Sequence, residues 1–151
     1  MKAFLVSLLV ALLLSARAES LPGSIFGHSE ADARARYGEP VKVTPAPAPG
    51  EGRALCFERD GIYITLNFRR GEVAQVGYVR KDRRAFTPKE CLALLQIHAP
   101  ATEWNLRAEV QAPGETRLEC PRFIAICYQD SGMLMVCTRE YSDAMLAKAS
   151  R

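Results

Sequence analysis

The chain has 151 residues, carries 20 Lys and Arg against 17 Asp and Glu, and contains 5 Cys, 2 His and a single Trp. The length fits one domain, and the near-balanced charge selects no polyanion, so nucleic acid is not an expected partner. The one dense basic run, Arg80-Lys81-Asp82-Arg83-Arg84, follows an expected strand end, where a solvated loop accounts for it.

Met1-Lys2 followed by the apolar run Ala3 to Leu14 and the small-x-small site Ala16-Arg17-Ala18 reads as a secretory signal peptide over residues 1–18. The apolar run is too short to cross ~30 Å of hydrocarbon at ~1.5 Å per residue. Cleavage after Ala18 leaves residues 19–151 as a single exported α+β domain, periplasmic or extracellular, without stable membrane insertion. No Cys stands near that site to accept a lipid.

Ser29 to Tyr37 reads as a short helix, with Ser29 as cap, Asp32 at the third helical position and Gly38 as a left-handed stop before Glu39-Pro40. Residues 41–52 hold Pro45, Pro47, Pro49, Gly50 and Gly52, the composition of an extended, poorly packed loop. Leu55 to Val79 then alternates as a three-stranded antiparallel meander. Asp60-Gly61 is a type I′ hairpin signal that sets Phe57 opposite Ile64 and Leu55 opposite Leu66. For the second turn a three-residue loop, Arg69-Arg70-Gly71, pairs Leu66 with Ala74, Ile64 with Val76 and Ile62 with Tyr78. That register matches apolar to apolar better than a two-residue loop does. Leu55, Phe57, Ile62, Ile64, Leu66, Phe68, Ala74, Val76 and Tyr78 are the expected buried face.

Thr87-Pro88-Lys89-Glu90 is a capping box with proline at the first helical position. It predicts a second helix to His98 whose buried stripe is Cys91, Leu94, Leu95 and His98. From Ala101 to Pro121 the pattern places no firm element, although Trp104-Asn105-Leu106 and Thr116-Arg117-Leu118 are candidates for brief pairing. Phe123 to Thr138 reads as a second hairpin about a loop Asp130-Ser131-Gly132, pairing Tyr128 with Leu134, Cys127 with Met135 and Ile126 with Val136, with both faces apolar. Ser142 to Ala149 offers a last helical turn or two. Cys56-Phe57-Glu58-Arg59-Asp60-Gly61 is echoed by Cys127-Tyr128-Gln129-Asp130-Ser131-Gly132, which admits a duplicated helix-plus-hairpin unit, although shared hairpin grammar also produces such an echo. The expected fold is therefore α+β: an antiparallel sheet, meander plus second hairpin, with two short helices packed on one face.

The order of Ser29, the stop Tyr37-Gly38-Glu39-Pro40, a loop and the meander Gly61 to Tyr78 resembles the small bacterial outer-membrane-assembly lipoproteins and the β-lactamase inhibitor proteins. The resemblance implies a small envelope protein that acts by binding, with another envelope protein as partner. Those lipoproteins keep a lipid-bearing Cys at the cleaved end, and this chain has none there.

Chemistry is sparse. His28 and His98 are the only histidines, and Cys91 and His98 lie ~10.5 Å apart along a helix axis, beyond a shared hydrogen bond. No Cys-x-x-Cys pair or His cluster suggests a metal, and no catalytic, cofactor-binding or metal-ligating residue is assigned. The odd set Cys56, Cys91, Cys120, Cys127 and Cys137 leaves at least one thiol unpaired or permits a bridge between chains. The expected register puts Cys127 and Cys137 about 8 Å apart on one face, which makes theirs the least favoured bridge. The remaining pairings, and the case of no bridge, stay open. The function expected is an exported binding or interaction protein rather than an enzyme. A small enzyme or an enzyme inhibitor is the alternative.

Overall fold

A computed structural model describes residues 23–46, 51–100, 104–107 and 113–149, so the expected signal peptide lies outside the described residues. Two capping boxes begin the first two helices. In α1 (Glu30–Tyr37) the Ser29 hydroxyl accepts from the Asp32 backbone N–H at 3.2 Å, while the Asp32 carboxylate accepts from the Ser29 N–H at 2.9 Å. In α2 (Pro88–His98) Thr87 and Glu90 exchange the same pair of bonds. Gly38 ends α1 at φ 86°, the positive φ expected of it.

The strands are β1 (Lys42–Thr44), β2 (Glu51–Arg59), β3 (Ile62–Arg69), β4 (Glu72–Arg80), β5 (Asn105–Leu106), β6 (Glu115–Glu119), β7 (Phe123–Tyr128) and β8 (Met133–Thr138). Among the described residues they make one antiparallel sheet in the order β1-β2-β3-β4-β8-β7-β6-β5. The α+β class with an antiparallel sheet thus stands. Asp60 and Gly61 both take positive φ, 50° and 77°, and the β2–β3 register follows, Phe57 against Ile64 and Leu55 against Leu66.

The β3–β4 register differs from expectation. Arg70 and Gly71 both have positive φ, 53° and 84°, and Arg69 pairs with Glu72, so the turn is a two-residue loop. The extra residue is taken up inside the strand instead, where the register shifts between Asn67 and Phe68. Beyond that bulge Leu66 meets Val76, Ile64 meets Tyr78 and Ile62 meets Arg80. Apolar still meets apolar at Leu66 and Ile64, Ile62 faces Arg80 at the strand end, and Val73 joins the core beside Phe68.

A second correction concerns β7–β8. Tyr128 pairs with Met133, Cys127 with Leu134 and Ile126 with Met135, because the connection spans four residues, 129–132, with Gly132 at φ 60°. Cys127 and Cys137 consequently lie on opposite faces, not diagonally on one face. Residues 47–50 of the expected loop lie outside the described residues, and 41–46 with 51–52 hold more structure than a loop. Residues 42–44 form an edge strand on β2, and Gly52 lies in β2, where a Cβ would collide with the Phe68 carbonyl oxygen. Residues 105–106 and 115–119 do pair with each other.

One face of the sheet, with Leu55, Phe57, Ile64, Leu66, Val76, Tyr78, Leu134, Val136, Ala125 and Phe123, carries α1 and α2. Ala33 and Tyr37 seat α1, the Tyr37 ring 5.2 Å from that of Phe57. Cys91, Leu94, Leu95 and His98 are the buried residues of α2, as the stripe predicts. A third helix, α3 (Arg139–Ala149), is longer than expected, and its hydrogen bond from Arg69 to the Glu140 carbonyl and its ion pair from Lys148 to Glu51 tie it back to the first meander.

The chain runs one course twice, helix then four-stranded meander, and the halves join where residues 75–79 of β4 pair with residues 133–137 of β8. This arrangement equates hairpin β3–β4 with β7–β8. The echo at Cys56 and Cys127 instead aligns β2–β3 with β7–β8, so it is hairpin grammar and not the register of the repeat.

Candidate functional site

Where the chain leaves β4 for the far edge of the sheet, α2 crosses above β6 and β7 without filling the space beneath it. Pro88, Cys91, Leu92 and Leu95 recur at helical spacing and form one wall. Thr116 and Leu118 of β6 and Cys127 of β7 form the floor, and Phe86 and Trp104 close the ends. The cleft has a volume of about 490 Å³, within the range of ligand pockets, and its lining is mostly apolar. Two polar features stand out. The Trp104 Nε1–H is buried and meets no acceptor among the described residues. On the floor, the Cys127 thiol donates to the Cys91 sulfur at 3.3 Å.

That contact splits the two thiols. The bond donated by Cys127 would stabilise a Cys91 thiolate and lowers its pKa below the ordinary cysteine value, against the opposing effects of burial and Glu90. Cys127 is pushed far up, because its proton holds the bond to Cys91 and because it is itself partly buried. Cys91 is therefore the first of the two to ionise. Cys56, Cys120 and Cys137 make no such thiol contact among the described residues; Cys120 and Cys137 are buried and Cys56 is half-buried.

The histidines lie elsewhere. His98 is 4% exposed, its Nε2 2.6 Å from the Tyr78 hydroxyl and its ring edge-on to Phe26. Burial draws its pKa down to about 4 and drives that of Tyr78 up. His28 lies 3.9 Å from Asp32. Neither histidine reaches the cleft. The basic run is largely neutralised: Arg80 pairs with Asp82 and Glu90, Lys81 with Glu58 and Arg84 with Asp82. Arg80, Lys81, Asp82 and Glu90 line a second hollow on the other side of α2, about 500 Å³ in volume. Among the described residues no three His, Cys, Asp or Glu side chains gather as a metal site would require, and no helix is long and apolar enough to cross a membrane.

The stripe on α2 that includes Cys91 was readable from helical spacing, but its partner was not. Cys127 lies 36 residues away and shares no local motif with Cys91. Only the crossover that carries α2 over β7 brings them together. Trp104 was singled out for a brief pairing, without sign of its place in the cleft.

No family model matches the chain, and no curated protein does. Solved structures do resemble it in fold. A cysteine-rich secretory protein from Staphylococcus aureus aligns over 78% of this chain with a TM-score of 0.50 and 13% identity. An extracellular protein containing an SCP domain, from Bacillus anthracis, gives 78%, 0.50 and 13% as well. The alignments span 46% and 45% of those chains, so this chain corresponds to less than half their length. At that identity the likeness is one of fold.

Proposed function

We propose that the protein is an exported binding module of the bacterial envelope, and that the cleft under α2 captures apolar side chains of another envelope protein. The observation that carries this reading is the cleft itself: a half-filled apolar space whose rim residue Leu92 is 47% exposed. Leu106, on the neighbouring edge strand, is 58% exposed and extends the apolar surface. Action by binding rather than acid–base catalysis is supported by the sealing of His98 against Tyr78. Export is supported by the leader-like start and by the secretory and extracellular descriptions of the proteins similar in fold.

A photoreactive amino acid placed at Leu92 tests the reading in the native host, with Lys42 on the opposite sheet edge as the control position. The expected result is one discrete protein adduct from position 92 and none from position 42, weakened roughly tenfold when Leu106 is also changed to Glu. No adduct from position 92, or the same adducts from both positions, overturns it.

A further inference from the structure

We propose that Cys91 and Cys127 form a thiol–disulfide exchange couple on the floor of the cleft, with Cys91 attacking and Cys127 resolving. The observations are geometric. The sulfurs are 3.3 Å apart, about 1.2 Å more than a disulfide bond, and they belong to two elements, α2 and β7, that face each other across the space. Both thiols line a cleft wide enough to admit a cysteine-bearing segment or a small disulfide, and the cleft's apolar walls hold such a chain close. The remaining three cysteines make no thiol contact among the described residues, so this pair can close a bridge without help from them. Position assigns the roles: Cys91 is the fourth residue of α2, near the helix's positive N-terminal end, which favours its thiolate as the bond from Cys127 does, whereas Cys127 lies mid-sheet in β7.

The step balances with a disulfide as oxidant. The Cys91 thiolate attacks one sulfur of a partner disulfide R–S–S–R′, forms the mixed disulfide Cys91–S–S–R and expels R′–S⁻, which takes a proton. Cys127 then gives up its proton to solvent, attacks the Cys91 sulfur and expels R–S⁻, which is protonated in turn. Two protein thiols and one disulfide become one protein disulfide and two thiols. The reverse passes the bridge to a dithiol. The bridge would tie α2 to β7 at the base of the cleft, so its redox state and the occupancy of the cleft are coupled.

This inference deepens the reading of the cleft as a docking site, and its test keeps the two separable, since the probe needs no protein partner. The reduced full chain is incubated with oxidised glutathione and mapped by non-reducing digestion and mass spectrometry. The wild-type chain is expected to close a Cys91–Cys127 bridge and retain no glutathione. Cys127→Ser should hold one glutathionyl group on Cys91, formed several-fold faster than on Cys56, Cys120 or Cys137, and release it to a small dithiol. Cys91→Ser should show neither product. A bridge from either residue to another cysteine overturns the proposal, as does a Cys91 in Cys127→Ser that reacts only in denaturant. A Cys91–Cys127 bridge that a small dithiol opens only after unfolding marks a static staple and overturns it equally. If exchange occurs while crosslinking from position 92 fails, the couple stands and the protein-partner reading falls.

Discussion

At the scale of single residues, His98 links the core to pH. Its Nδ1 has no partner among the described residues, so a charged imidazole there would be a buried cation held only through Nε2. Burial lowers its folded pKa from 6.5 to about 4, so between those values the unfolded chain binds a proton that the folded chain refuses. Stability from this group is therefore full above pH 6.5 and is lost as pH falls toward 4, by about 3 kcal/mol in all. Urea unfolding across that interval should show the wild-type midpoint falling with pH and that of His98→Gln nearly level in its upper half. The carboxylates with lowered values, Glu30, Asp32, Asp82, Glu90 and Glu119, lose their share only at the bottom of the interval and below it. A wild-type midpoint as level as that of the variant would mean that His98 is not the titrating group.

At the scale of elements, what could be read from sequence was what neighbours in sequence decide. Ser29 with Asp32, Thr87 with Glu90 and Asp60 with Gly61 each act within four residues, and the structure holds all three. The second hairpin shows the limit of that reading. Alternation in β3 and β4 requires one odd residue between Leu66 and Val76, but it is satisfied equally by a three-residue turn or by a bulge in the strand. The choice falls to the turn, where Arg70-Gly71 adopts two positive-φ residues and moves the bulge inward. The floor of the cleft was still less accessible, because it depends on where a crossover lands. Removing a local signal should cost what such signals cost elsewhere. Thr87→Ala deletes the oxygen that accepts the Glu90 N–H at 3.3 Å and leaves Glu90 to Arg80, so a loss of about 1 kcal/mol by urea unfolding is expected. A change indistinguishable from zero would show that the box is not what holds the start of α2.

At the scale of the molecule, the two meanders share one seam and one apolar layer. Val76, Tyr78, Leu134 and Val136 meet across β4 and β8, and Phe26 touches both His98 of α2 and Phe123 of β7. The halves repeat in topology, yet neither keeps its core to itself, so the protein should unfold as one unit. Val136→Ala, in the middle of the seam, should cost about 2 kcal/mol and lower hydrogen-exchange protection in β2 and β7 together. If protection falls in β7 while β2 is untouched, the halves are separate folding units.

The seam also sets an order in time. A chain made from its N-terminus completes β4 long before β8 exists to cover it. Throughout that interval β4 presents a row of unpaired backbone donors and acceptors beside Val76 and Tyr78, a template for any extended chain nearby. The long reach between the two strands is a high-contact-order step, and it makes the closing of the seam the slow event of folding. The nascent protein consequently passes through a stage in which its first meander is sticky along one edge, and shielding is required there while the second half is still being made.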